Sequence, residues 1–337
     1  MTAKAIQNIA VIGAGSWGTA LAAMARRAGR QVMLYARDSG LAHAINTTHQ
    51  NPIYLPDIAL DAAIRATANM EEALAGAELV LFVTPAQHMR DTLHRMKAYM
   101  PAGVPLVNCA KGIEIATGSL LAGVAAAVLP DTPYGVLSGP TFASEAVRGL
   151  PSAATLATAA PAAEAMHWAE ALKSTTFRPY LSDDPTGVEV AGALKNVIAI
   201  ACGIVEGRNL GQNARAALMT RGMAEMKRFG LTRGAKMETF LGLAGIGDVM
   251  LTCNSMTSRN FSLGHALGGG EKLADIIKNR RTVAEGVATA RAVAEAAARD
   301  KVDMPICLAV DQILHHNARV EDVILALLSR DIRMEAT

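Results

Sequence analysis

Ile9-Ala10-Val11-Ile12-Gly13-Ala14-Gly15-Ser16-Trp17-Gly18 decides how this chain folds. Four apolar residues bounded by glycine read as a buried parallel strand. Residues 19–27 read as the helix that follows, ending near Gly29. Between strand and helix lies G-x-G-x-x-G, and its placement matters more than its pattern. Gly13 allows the tight turn, Gly15 lets a pyrophosphate approach the backbone, and Gly18 lets helix and strand pack closely. The helix N-terminus offers unpaired N–H groups and the positive end of its dipole to that anion. Strand, glycine loop and helix in this order predict a dinucleotide-binding fold.

Working outward, further strands are expected at residues 31–36, 78–83, 105–109, 134–137 and 153–158, with helices between them, for example at 87–99 and 120–129. Alternating β and α units predict an α/β class: an N-terminal Rossmann-type, mostly parallel sheet with helices on both faces. After Asp183 the pattern changes. Long helical segments at 188–205, 214–229 and 283–299, with two more near the C-terminus, predict an all-helical C-terminal domain. Ser182-Asp183-Asp184-Pro185 supplies turn and cap chemistry. The expected division is therefore a dinucleotide-binding domain at 1–184 and a helical substrate domain at 185–337.

Bulk properties exclude other classes. The 337 residues carry a net charge of +2, which argues against a nucleic-acid binder driven by charge. With 51% hydrophobic and 18% charged residues the chain is not disordered. The longest uncharged apolar stretch, 115–130 apart from its glycines and terminal proline, is too short and too broken to span a bilayer, so no membrane insertion is expected. Cys109, Cys202, Cys253 and Cys307 are far apart and form no C-x-x-C pair. Neither a metal site nor a disulfide framework is expected, and a cytoplasmic location fits.

Several residues are candidates for chemistry. Arg37 and Asp38 end the second strand; an acidic residue there suits the ribose of NAD, an Arg the 2′-phosphate of NADP, and the order favours NADPH with NADH as the alternative. Ligands collect at the carboxyl ends of such strands, which singles out Lys111, Gly139 and Thr141. Lys195 is the one charge in the apolar run Ala191-Gly192-Ala193-Leu194-Lys195-Asn196-Val197-Ile198. A helix apolar all round is buried, and burial lowers an ammonium pKa toward the range where it exchanges protons near neutral pH. The bland alternatives are that it snorkels to the surface or pairs with Glu189 or Asp248. Asp248 follows Gly245-Ile246-Gly247 and reads as that partner, as a group holding a substrate hydroxyl, or as a helix cap. Ser258-Arg259-Asn260 opens a helix at 261–267, where an Arg beside an N-terminus makes a phosphate clamp. Thr282-Val283-Ala284-Glu285 has the spacing of a capping box.

Taken together, six stretches resemble the bacterial NAD(P)-dependent sn-glycerol-3-phosphate dehydrogenases over nearly the whole chain. They are residues 13–20, Cys109-Ala110-Lys111-Gly112-Ile113-Glu114, Ser138-Gly139-Pro140-Thr141-Phe142-Ala143, Gly192-Ala193-Leu194-Lys195-Asn196-Val197, Gly245-Ile246-Gly247-Asp248 and Ser258-Arg259-Asn260. The resemblance implies reversible hydride transfer between NAD(P)H and dihydroxyacetone phosphate, giving sn-glycerol 3-phosphate for phospholipid synthesis. It implies Lys195 as the proton-transfer group and Lys111 beside substrate and nicotinamide. It implies Gly139, Thr141, Asp248, Ser258, Arg259 and Asn260 on the substrate, and Ser16, Trp17, Arg37, Lys111, Ala143, Arg259, Val283 and Glu285 at cofactor contacts. The rival expectations are a related hydroxyacid or 6-phosphogluconate-type dehydrogenase and a non-catalytic NADPH sensor. A homodimer is expected from the apolar content of the helical domain.

Overall fold

The computed structural model describes residues 4–279, 284–332 and 334. Eight strands form one sheet: β1 (Asn8–Ile12), β2 (Gln31–Tyr35), β3 (Ile64–Thr67), β4 (Leu79–Phe82), β5 (Leu106–Asn108), β6 (Tyr134–Ser138), β7 (Ser152–Thr158) and β8 (Phe177–Ser182). Their order is β3-β2-β1-β4-β5-β6-β7-β8. All neighbours are parallel except β6 and β7, which run antiparallel from Gly135 opposite Thr158 to Ser138 opposite Thr155. The chain leaves β1 for β2 and β3 on one side, then returns to β4 on the other. The crevice at this reversal is where open α/β sheets bind ligands.

Strand alternation builds the two faces. Ile9 and Val11 of β1 and Leu79 and Leu81 of β4 pack into one core. Ala10, Ile12, Val80 and Phe82 point the other way into a second. Because both faces are covered, these strands are apolar at every position, as parallel strands must be.

From Pro185 onward the described residues hold helices and no strand. A 23-residue helix, Pro185–Gly207, runs through the middle of this lobe, capped by Asp184, whose side chain accepts from Gly187 N. Its residues from Gly187 to Val205 are all buried. Among the described residues it is the one helix long and apolar enough to cross a membrane, and it lies wholly inside the protein.

The central helix crosses helix Arg259–Gly268 backbone against backbone. A Cβ on Gly203 would lie 2.1 Å from Phe261 O, and one on Gly264 2.0 Å from Ile200 O. Gly207 and Gly268 repeat the contact one turn on, at 2.2 Å from His265 O and 2.5 Å from Ile204 O. Four glycines therefore let the two helices approach far closer than side chains permit. Gly264→Ala forces the pair apart in a filled core, and the expected loss of stability is about 3 kcal/mol in a denaturant titration.

Candidate active site

The glycine loop has a distinct job for each glycine. Gly13 has φ +121, and a Cβ there would stand 3.1 Å from the carbonyl of Val83, where β4 ends. A Cβ on Gly18 would sit 1.8 Å from Gly13 O, so helix and loop can close only with glycine. Gly15 has nothing within 4 Å of where a Cβ would be. It is also the N-cap of helix Ser16–Arg27, and no side chain caps that helix. Open space in front of uncapped amides is what a pyrophosphate requires. These residues fit a dinucleotide. The Ser16 hydroxyl turns aside to donate to Tyr54 O at 3.0 Å. Trp17 packs on the sheet core, its Nε1 buried without a partner.

Arg37 and Asp38 separate in role. Gly13 N donates to Tyr35 O, so β2 ends beside the glycine loop. Arg37 follows and is exposed. Asp38 instead caps helix Ser39–Thr48, accepting from Leu41 N at 3.0 Å. Its carboxylate is engaged, and Arg37 is the charged side chain left at this strand end.

Two lysines share one carboxylate at the other end of the crevice. Lys195 Nζ lies 2.6 Å from Asp248 Oδ1 and 2.9 Å from Thr252 Oγ1. Lys111 Nζ, from the loop after β5, lies 2.6 Å from Asp248 Oδ2. The aliphatic stem of Lys111 lies against Gly192, one turn before Lys195. Asp248 is fully buried and Lys195 is only 7% exposed, so the lysine is almost wholly withdrawn from solvent. Burial pushes the Lys195 ammonium down to about 8; Asp248 opposes this, and the second ammonium of Lys111 adds to it. Burial alone would raise Asp248, but the two lysines outweigh it and hold the carboxyl below its usual value. Asp248 begins helix Asp248–Thr252, whose cap position is Gly247, so the capping alternative does not describe it. Nor does Glu189 pair with Lys195; it bonds Tyr134 Oη at 2.6 Å.

A Cβ on Gly139 would lie 2.8 Å from Ala154 Cα, so the chain after β6 passes tightly over β7. Thr141 Oγ1 donates to Gly139 O at 3.3 Å. Ser258 caps helix Arg259–Gly268, accepting from Phe261 N at 3.2 Å. Asn260 donates to Asn196 Oδ1 and accepts from Gly286 N, both at 2.9 Å, which ties three helices together. Arg259 lies on the exposed side of its helix, and its charge attracts that of Glu285. Burial raises Glu285 to about 7, opposed by Arg259 and by a backbone bond from Ala86 across the crevice. Helix Glu285–Asp300 has Ala284 as its N-cap, so Glu285 is the first helical residue, and the capping-box spacing does not explain it. Ala143 opens the short helix Ala143–Ala146 beside the sheet core. Val283 lies outside the described residues.

Two participants had not been singled out. Thr252 stands one turn after Asp248 on the same helix and bonds both Asp248 and Lys195. Ser138 Oγ, at the end of β6, is buried without a partner and faces Gly192. An i, i+4 Asp-Thr pair next to a buried lysine is a signal that could have found the first. The second shows only once β6 and the central helix are seen together.

A dinucleotide fold whose strand ends face a buried lysine on a helical lobe is the build of a nicotinamide-dependent dehydrogenase. Residues 8–164 match the family model described as NAD-dependent glycerol-3-phosphate dehydrogenase N-terminus, and residues 184–325 the corresponding C-terminus. The chain belongs to this family. It is 54% identical over 331 residues to the NAD(P)+-type glycerol-3-phosphate dehydrogenase of Rhodospirillum rubrum, covering 98% of this chain and 94% of that one. It is 52% identical to that of Parvibaculum lavamentivorans, covering 98% and 99%. The crystal structure of the Coxiella burnetii glycerol-3-phosphate dehydrogenase superposes with a TM-score of 0.92 at 36% identity, covering 96% of this chain and 99% of that one.

Proposed function

We propose that the protein interconverts dihydroxyacetone phosphate and sn-glycerol 3-phosphate with NADPH or NADH, NADPH being favoured, and so supplies glycerol phosphate for lipid synthesis. Family membership supports this reading, and the observation that carries it is the pair of lysines sharing the buried Asp248. When bound, the nicotinamide supplies or accepts the hydride. The protein does the rest. Lys195, near its titration point, gives a proton to the ketone oxygen in reduction and takes it back in oxidation. Lys111 places a second positive charge where alkoxide charge develops. Asp248 and Thr252 hold the Lys195 amine in place.

The remaining candidates divide by the end of the cleft they occupy. Gly13, Gly15, Gly18 and the first turn with Ser16 and Trp17 would hold the pyrophosphate side, with Arg37 on a 2′-phosphate. Lys111, Ala143, Arg259, Val283 and Glu285 would complete the cofactor site. Gly139, Thr141, Ser258, Arg259 and Asn260 would meet the substrate, the start of helix Arg259–Gly268 suiting its phosphate. The domain division we propose is 1–184 and 185–337, since β8 ends at Ser182 and the central helix starts at Pro185. Four buried free thiols suit a cytoplasmic setting. A homodimer is the expected assembly, supported by exposed Leu241, Met250, Leu325 and Leu328, and light scattering checks it.

The direct test follows nicotinamide absorbance. Oxidation of NADPH on adding dihydroxyacetone phosphate is expected. Turnover of a hydroxy acid with none of dihydroxyacetone phosphate overturns the substrate, and cofactor binding without any turnover overturns the enzyme.

Two further results are expected. Reduction requires the Lys195 ammonium, so its kcat falls as pH rises through about 8, whereas the oxidation rate rises over the same interval. Stopped-flow rates in both directions across pH 6–10 check the crossing. Arg37→Ala raises KM for NADPH about tenfold, the worth of a charge-assisted bond to phosphate, and leaves KM for NADH within about twofold. Equal losses for both remove Arg37 from the 2′-phosphate.

A further inference from the structure

Glu189 is a carboxylate buried to 5% exposure that the proposed chemistry does not use. It belongs to the central helix, yet its carboxylate bonds to the sheet lobe. Its Oε1 accepts from Tyr134 Oη of β6 at 2.6 Å and from Asn108 Nδ2 of β5 at 3.4 Å. Its Oε2 accepts from Ala122 N at 3.1 Å. That last bond falls in the first turn of helix Leu121–Val128, where the N-cap residue is Leu120 and no side chain of the helix's own segment caps it. One carboxylate of the helical lobe thus grips two strands and a helix of the other lobe.

The grip extends to the lysine loop. Asn108 shapes the chain immediately before Lys111, accepting from Ala110 N at 3.0 Å and donating to Ala110 O at 3.3 Å. Lys111 then crosses Gly192 to reach Asp248. Glu189 and Lys195 project from the same rigid helix. Fixing Asn108 on Glu189 therefore fixes where the Lys111 loop stands relative to Lys195.

We propose that Glu189, through Asn108 and Tyr134, is the positioning residue that sets Lys111 against Asp248 and thereby tunes the proton-transfer lysine. This rests on the reading of Lys195 as the proton-transfer group. Its consequence differs from that of a residue that only stabilises the fold. Lys111 is one of the charges that lower Lys195. If the loop drifts, Lys111 retreats, Asp248 attends to Lys195 alone, and the Lys195 pKa rises.

Lys195 is faced by Asp248, Thr252, Lys111 and the thiol of Cys253. Glu189 is faced by Tyr134, Asn108 and the amides that open helix Leu121–Val128. The two sets share no member, and the loop that carries Asn108 and Lys111 links them.

The test is the pH profile of dihydroxyacetone phosphate reduction by Glu189→Gln and, separately, Tyr134→Phe. Glu189→Gln is expected to lower kcat about thirtyfold, leave NADPH affinity within about twofold, and move the alkaline limb up by about one pH unit. Tyr134→Phe, which leaves the carboxylate in place, moves the limb the same way by less and carries the test if the first variant does not fold. Loss of activity with the limb unmoved in both variants makes the cluster merely structural and overturns the proposal, as does wild-type behaviour of both. Failure of the underlying reading looks different: the unmodified protein would not turn over dihydroxyacetone phosphate at all.

Discussion

Lys195→Met lowers kcat for reduction of dihydroxyacetone phosphate about a thousandfold, which is about 4 kcal/mol of barrier. Methionine keeps most of the volume of the buried stem, so the surrounding helix stays filled. The change removes one of two ammonium groups, and Asp248 keeps Lys111 at 2.6 Å as its counter-charge. The fold therefore survives, and NADPH, which we propose is held at the far glycine loop, is expected to bind within about twofold of the unmodified protein as judged by fluorescence titration. With the proposed proton donor gone, the residual rate is expected no longer to bend at about pH 8. A variant that retains the unmodified kcat, or the same bend, removes Lys195 from proton transfer.

Asp248→Asn has the second large effect, of a different kind. It leaves two ammonium groups facing each other in a nearly dry site with no negative charge between them. Removing one partner of a buried ion pair costs about 3–5 kcal/mol of stability. The protein relieves part of this by discharging Lys195, whose pKa is already about 8 and falls further once its anion is gone. The sign is then fixed. At pH 7.5 the ammonium needed for reduction is depleted, and the reduction rate falls at least about a hundredfold. The loss eases as pH is lowered, until unfolding intervenes. Denaturant titration and a pH series on the same variant measure both effects. Stability within about 0.5 kcal/mol of the unmodified protein contradicts the ion-pair account, since that is the range of an inconsequential surface change.

The glycine loop and the apolar strands around it were readable because their constraints are local. A strand covered on both faces has no polar positions, and Gly18 meets Gly13 O within the same short motif. The two strands that escaped notice, β3 and β8, are the two edges of the sheet. Ile64-Arg65-Ala66-Thr67 is short and carries a charge, and β8 contains Arg178 and Pro179. Edge strands have neighbours on one side only and tolerate both. In the site, Lys195 announced itself as a charge within an apolar helix. Among its options were pairing with Glu189 or Asp248, and only the packing of helix Asp248–Thr252 on the central helix decides for Asp248. Thr252, Ser138 and the hold of Glu189 on Tyr134 join residues far apart in the chain, and no spacing rule encodes such meetings. The last long helix, placed at 283–299, is described from Glu285 to Asp300.

The crossing at Gly203, Gly207, Gly264 and Gly268 has a mechanical consequence. Two rods touching main chain to main chain have no soft side-chain layer in which to slip or roll. The amine on one rod and the anion-seeking start of the other must therefore travel as a single stiff block. Any breathing that admits substrate has to be hinged elsewhere, and the proposed proton donor keeps its distance from the proposed phosphate grip whether the mouth stands wide or shut.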